Sequence, residues 1–298
     1  MSEKYPRSFT ADLRRLKSWP SMVGMLWRQP YLVELTYREA VELVSGVIQD
    51  ERSKILDVGC GTGSMSLELA RSGHDVLGID IDEERVGIAN RILREGPTLK
   101  RPGSLEYQVA DFREWSDSQE EYDAIIFSRT LHDLSNPEQI VSKAHSLLRN
   151  GGRIVCLEYA YDRIDRRTAI WLYQVRKMLE SAGWYPSPHL SDDPRSGIEH
   201  IMTEETSERK EHINTFEEMR KPLEQSFQNG QFSWHCYHSW FILGDMHISD
   251  PEKEKAVATT IKRMEQFLIE SGEIESVLFR FIGRKERSKA TSHSSRTE

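Results

Sequence analysis

Seven residues, Asp57-Val58-Gly59-Cys60-Gly61-Thr62-Gly63, constrain this chain more than any other stretch. The run from Lys54 to Val58 is bounded by charge before it and glycine after it, as expected of a short central parallel strand. Glycines at alternate positions call for a tight turn and let a ligand approach without a Cβ in the way. A helix beginning at Ser64 aims free N–H groups and a positive dipole end at that turn. The stretch therefore reads as a nucleotide- or cofactor-binding loop.

Elements of the same kind follow it. Asp75–Ile79 is a second apolar strand ending on Asp80, and a helix from Asp82 stops at Gly96-Pro97. Leu105–Ala110 is a third strand ending on Asp111-Phe112, and Asp123–Phe127 a fourth ending at Ser128. A helix is then expected with Asn136 as N-cap, Pro137 at its first position and Gln139 three residues on from the cap. Asn150-Gly151-Gly152 ends it, and Arg153–Leu157 is a fifth strand. Alternating strands and helices predict an α/β fold with a doubly wound, mostly parallel sheet. Ligands of such sheets sit at the C-terminal ends of the strands, where Asp57, Asp80, Asp111 and Ser128 all fall. Before this core, the apolar spacing from Tyr31 to Ile48 predicts one helix. After it, Arg166–Ala182, Phe216–Phe227 and Lys255–Ser271 read as helices and Gly183–Glu208 as a loop. Gln231–Leu243 reads as an aromatic strand and Ser276–Ile282 as the last one.

Composition narrows the partners. The 298 residues carry a formal net charge of −8, which disfavours a nucleic-acid substrate. The cysteines, Cys60, Cys156 and Cys236, stand far apart with no C-x-x-C, as in a reducing compartment. No apolar leader or membrane-length apolar run is visible, so the expected location is cytoplasmic. A basic amphipathic piece, Leu13-Arg14-Arg15-Leu16-Lys17, reads as an arm or lid on its own domain rather than a membrane anchor.

The loop excludes two common cofactor classes. A dinucleotide fold needs a third glycine where Ser64 stands, and a Walker loop needs a G-K-[ST] that is missing. Instead, Asp57 to Gly63 resembles motif I of the class I S-adenosylmethionine-dependent methyltransferases, and further pieces arrive in that family's order over roughly residues 35–160. The resemblance implies a seven-stranded sheet with N-terminal helices and a helical insertion after strand five. It implies S-adenosyl-L-methionine as cofactor and S-adenosyl-L-homocysteine (SAH) as product. In that frame Asp80, followed by Ile81, holds the ribose hydroxyls. Asp111 and Phe112 meet the adenine, Ser128 borders the methionine part, and Gly59, Cys60, Gly61 and Gly63 form the loop. Asp57 either caps the glycine turn or touches the ligand.

Methyl transfer also needs an aligned acceptor and, for a hydroxyl, a proton acceptor. His132, just past strand four, is the candidate base, with a histidine that only borders the pocket as the other reading. His235 is a second, weaker candidate. The stretch Trp234–Phe241, if a strand, puts His235, Tyr237, Ser239 and Phe241 on one face. Tyr37, Tyr159 and Tyr237 complete the expected acceptor pocket together with His132. Asp133 and Asp162 lack a carboxylate-rich pattern around them, so no metal is expected. Residues 1–50 are expected to form a helical lid and 51–160 the cofactor core. Residues 161–284 are expected to hold the acceptor-binding insertion plus the last two strands, and 285–298 a disordered tail. The expected function is methyl transfer to O, N or C of a small molecule, such as a secondary metabolite. The alternatives are a non-catalytic cofactor-binding module and a protein methyltransferase.

Overall fold

The computed structural model describes residues 30–48, 50–95, 103–116, 121–185, 190–207 and 213–286. The basic stretch around Arg14 and the tail beyond Glu286 lie outside the described residues. Two helices, α1 (Pro30–Leu35) and α2 (Tyr37–Ser45), stand where one was expected. The break falls at Thr36, whose Oγ1 donates to the Leu32 carbonyl at 2.8 Å. A threonine bonded back to the preceding turn competes with helix continuation.

The core follows as β1 (Lys54–Val58), α3 (Ser64–Arg71), β2 (Asp75–Asp80), α4 (Glu83–Glu95), β3 (Leu105–Val109) and β4 (Tyr122–Ser128). Then come a single 3-10 turn (Leu131–Asp133), α5 (Pro137–Leu147) and β5 (Leu148–Tyr159). A second 3-10 turn (Tyr161–Arg163) leads to α6 (Arg166–Ser181), α7 (Pro194–Ser207), α8 (Phe216–Ser226) and β6 (Gln231–His235). Helices α9 (His238–Asp245) and α10 (Pro251–Glu270) precede β7 (Leu278–Arg284). The seven strands form one sheet in the order β3-β2-β1-β4-β5-β7-β6. All pairs are parallel except those of β7, which runs antiparallel to β5 and β6.

Alternate residues of the central strands go to opposite faces, and both faces are apolar. Leu56, Val58, Ile125 and Phe127 pack against Ile140, Val141 and Ala144 of α5 and Met219 and Leu223 of α8. Ile55, Ala124, Ile126 and Val155 pack with Val41 and Val44 of α2 and Met65 and Leu69 of α3. A sheet buried on both sides is what near-continuous apolar strands demand. Helices α6, α7, α9 and α10 build a separate apolar cluster, with Leu172, Val175, Ile198, Ile201, Ile242 and Ile261 at its centre.

Two local expectations are corrected and one is refined. Asn136 and Pro137 hold the expected N-cap and first positions of α5, but the Asn136 side chain makes no capping bond. Asn136 sits at φ 60°, and its carbonyl accepts from Gln139 N and Ile140 N at 3.0 and 3.2 Å. Gly183–Glu208 is not all loop, because Asp193 and Pro194 open helix α7, with Asp193 Oδ2 accepting from Ser196 N at 3.0 Å. The aromatic strand ends at His235 and turns into α9. Glu265 on α10, fully buried, accepts from Tyr237, His238 and Ser239 N at 2.7, 2.8 and 2.9 Å. Those are the free N–H groups of a helix start, satisfied by a carboxylate distant in sequence. Tyr237, Ser239 and Phe241 therefore do not share a strand face with His235. Among the described residues, no helix is long and apolar enough to cross a membrane.

Candidate active site

The glycine turn is held from below and left open above. Gly59 N and Cys60 N both donate to the Ile79 carbonyl, at 2.8 and 3.0 Å, which docks the loop on the end of β2. Asp80 accepts from Gly61 N through Oδ2 at 2.7 Å and from Asp82 N through Oδ1 at 2.9 Å. The Tyr107 hydroxyl donates to the Gly63 carbonyl at 2.7 Å. Gly59, Gly61 and Gly63 all have positive φ, at 71°, 55° and 79°. Their surroundings differ. A Cβ at Gly59 would lie 2.3 Å from Thr130 and one at Gly63 would lie 2.3 Å from Tyr107, whereas one at Gly61 meets nothing within 4 Å. The turn is thus packed on the protein at two glycines and open at the third.

This difference is testable. Gly59→Ala is expected to lower stability by about 3 kcal/mol, from left-handed strain plus overlap. Gly61→Ala is expected to cost only about 1–2 kcal/mol, yet to weaken SAH binding strongly, because its methyl group fills the open side. Thermal melts and calorimetry on both variants read the two effects separately. Equal SAH affinity in wild type and Gly61→Ala would remove the ligand from this side of the loop.

Asp57 is bound to the first turn of α3. It is 1% exposed and accepts from Ser66 Oγ at 2.5 Å, tying the end of β1 to α3. Burial pushes its carboxyl up from 3.8 to about 6; Ser66 works against the shift and the Asp80 charge adds to it. The folded chain then holds a proton here that the unfolded chain releases above pH 3.8. The contribution of Asp57 to stability is accordingly best below pH 3.8, falls through the window from 3.8 to about 6, and is flat above it. The fall is at most about 3 kcal/mol. In urea titrations, wild type should lose stability relative to Asp57→Asn across this window. A difference between the two that does not vary with pH would contradict the assignment.

Asp111 is already engaged. Arg113 donates to it from N at 2.9 Å, Nε at 3.0 Å and Nη2 at 2.5 Å, and these bonds hold its carboxyl below the usual range. The Phe112 ring, 2% exposed, lies in the core edge-on to Phe127 with centroids 5.8 Å apart, so its face is spent on the protein. Ile81 stands exposed beside Asp80 at the rim. Ser128 closes β4, in register with Leu157 of β5.

Past Ser128 lies the best-ordered chemistry of the chain. Arg129 has φ 59°, outside the range favoured by side-chain-bearing residues, and its N donates to the Leu157 carbonyl at 2.8 Å. Glu158, fully buried, accepts from Thr130 N and Leu131 N through Oε1 at 2.8 and 2.7 Å. Its Oε2 lies 2.7 Å from His132 Nδ1. Both backbone partners can only donate, so Glu158 is bound as an acceptor, and Nδ1 carries the proton toward it. Nε2 of His132, on the other side of the ring, lies 3.4 Å from Asp133 Oδ2, an exposed carboxylate. His132 is 5% exposed and packed between Tyr159 and Tyr161, at centroid distances of 5.6 and 5.4 Å. Tyr159 stacks on Tyr237 at 4.1 Å. Asn214 fastens this turn to the insertion, with N donating to the His132 carbonyl at 2.8 Å and Nδ2 to the Leu131 and Leu134 carbonyls at 2.9 and 2.7 Å.

His132, Tyr159 and Tyr237 are thus brought together, and Tyr37 packs against the cluster that holds Tyr159 and Tyr237. His235 stands apart, across β7 from Tyr159 in the register Tyr159–Leu278–His235. Its Nε2 bonds Ser233 Oγ at 2.9 Å, and burial and then Arg280 depress its basicity to about 4. Three residues of the site, Glu158, Arg129 and Asn214, carry no local signal in the sequence, because their partners lie far along the chain.

A strand-end glycine turn, an acid on the next strand and a buried histidine beside them define a cofactor-dependent transferase site. A family model described as a methyltransferase domain matches residues 31–218. The chain belongs to this methyltransferase-domain family. The ubiquinone biosynthesis O-methyltransferase of Acinetobacter baylyi is 28% identical over 123 residues, covering 41% of this chain and 48% of that protein. The mitochondrial protein of the same name from Mus musculus is 33% identical over 102 residues, covering 34% of this chain and 27% of that one. The chain therefore spans half or less of the length of these curated relatives. A crystal structure of a SAM-dependent methyltransferase from Methanosarcina mazei is 20% identical, with a TM-score of 0.47, covering 82% of this chain and 97% of that one.

The residues present fit S-adenosylmethionine. The open side of Gly61 accepts close approach, the adjoining acid Asp80 suits neighbouring hydroxyls, and no lysine or arginine stands within the turn as a phosphate would require.

Proposed function

We propose that the chain transfers a methyl group to a hydroxyl of a small molecule, with His132 as the proton acceptor. The observation that carries this reading is the Glu158–His132 pair: a buried imidazole held at Nδ1 by a buried carboxylate, with Nε2, beside the exposed Asp133, as the atom that takes a proton from the acceptor. The tyrosines around it suit a planar acceptor, and the curated relatives named above are O-methyltransferases. When bound, the sulfonium of the cofactor supplies an activated methyl group for in-line displacement. The chain's own residues hold and orient. Gly59–Gly63 and Asp80 seat the cofactor, while Tyr37, Tyr159 and Tyr237 enclose the acceptor and exclude water. Nε2 of His132 takes the hydroxyl proton as the oxygen becomes nucleophilic. Helices α6, α7, α9 and α10, with their own apolar cluster, form the acceptor-binding insertion.

Two measurements test this. Asp80→Ala is expected to weaken SAH binding about 10- to 100-fold, the worth of charge-assisted hydrogen bonds to hydroxyls. Unchanged affinity in calorimetry would move the ribose elsewhere. SAH release should be seen with hydroxylated aromatic compounds and vanish when the same compounds carry a methyl ether in place of the hydroxyl. Release that persists with the ethers would contradict O-methylation.

A further inference from the structure

Arg129 is the residue that the mechanism above leaves without a task. Its left-handed backbone is imposed from three sides, by its own N–H on the Leu157 carbonyl and by Glu158 on the next two N–H groups. A strained residue held this firmly points to a use for its side chain. That side chain lies 5.9 Å over the Trp240 ring and within hydrogen-bond reach of the Tyr159 hydroxyl. Burial works against its charge, while Tyr159, Tyr237 and Tyr37 support it, and the net effect is a guanidinium more basic than usual. The rings around it are buried, with Tyr159 at 5%, Tyr237 at 3% and Trp240 at 7% exposure, yet Arg129 itself is exposed. Its charge is therefore accessible to a ligand beside these rings. Among the described residues no carboxylate pairs with it, whereas Arg38, Arg52, Arg113 and Arg149 are each paired. The Trp240 indole N–H beside it is also buried without an acceptor.

We propose that Arg129 is the anion-recognition residue of the acceptor pocket, and that the acceptor is an aromatic compound carrying a carboxylate. An always-charged planar fork set beside aromatic rings fits a carboxylate bidentately and stacks on an adjoining ring. Trp240 and Tyr237 come from the insertion and Tyr159 from the sheet, so the recognition spans both parts of the chain. The inference rests on the small-molecule reading above and narrows it to one chemical class.

The test uses matched pairs, benzoate, phenylacetate, 4-hydroxycinnamate and indole-3-acetate, each against its own amide, titrated into the full chain saturated with SAH. The acids should bind about tenfold or more tightly than their amides. Arg129→Gln should abolish that preference and Arg129→Lys retain part of it, with SAH affinity in both within about threefold of wild type. Equal binding of acids and amides to wild type, or a preference that survives Arg129→Gln, overturns the proposal. A variant that loses SAH affinity while keeping its acid preference assigns Arg129 to the carboxylate of the cofactor's methionine, and overturns it as well. Should neither acids nor amides bind, the small-molecule reading itself fails. Binding of amides alone leaves that reading standing and removes only the anion site.

Discussion

Replacing His132 with alanine should lower kcat about 10²- to 10⁴-fold, the usual contribution of a positioned general base, and leave SAH affinity nearly unchanged. The asymmetry follows from where the imidazole sits. Its Nδ1 is held by Glu158 and its ring by Tyr159 and Tyr161, none of which belongs to the glycine turn that seats the cofactor. One further readout separates a base from a spacer. An acceptor whose hydroxyl ionises unaided at high pH should recover most of the lost rate, since its proton no longer has to be taken. If kcat in the variant stays within a few-fold of wild type, or high pH rescues nothing, the proton leaves by another route.

The parts of the fold that were legible before the structure share one property: their signal is local. Apolar runs such as Ala124–Phe127, bracketed by polar residues, declare a buried strand whatever surrounds them. The glycine turn declares itself because left-handed backbone at Gly59, Gly61 and Gly63 leaves little choice of residue. What was missed depends on partners far away in sequence. Helix α9 starts after His235 because Glu265 satisfies its first N–H groups from another helix, and no residue between Trp234 and Phe241 carries that information. Phe112 follows a strand-end acid, as an adenine-covering residue would. Its ring nonetheless turns inward, because Phe127 and Lys143 offer it a filled site in the core.

Glu158 repeats the device of Glu265 at the chemical centre. Each is a buried carboxylate that satisfies successive backbone N–H groups of a turn, and each thereby fixes the side chains the turn presents. For Glu158 the side chains are Arg129 and His132, so one residue sets both the candidate anion site and the candidate base.

The variant that isolates this role is Glu158→Gln. Glutamine keeps the shape, and its oxygen can still accept from Thr130 N and Leu131 N, so the turn should persist and SAH should bind normally. Its amide nitrogen, however, would face His132 Nδ1 where an acceptor stood. Two donors cannot share that 2.7 Å contact, so the imidazole must move its proton to Nε2, the atom that has to accept one. The expected result is a loss of kcat of about 10² or more with the fold intact, since a base in the wrong tautomer is not a base. Glu158→Ala is harsher. It leaves two buried backbone N–H groups and Nδ1 without an acceptor, and should cost about 3–5 kcal/mol of stability as well as activity. The telling comparison is between the two variants in urea melts and steady-state kinetics. Glu158→Gln should lie near wild type in the melts and near His132→Ala in turnover. A Glu158→Gln protein with wild-type turnover would show that the orientation of His132 does not matter to the reaction. One that melts like Glu158→Ala would show that the carboxylate charge, and not merely an acceptor at Oε1, holds the turn.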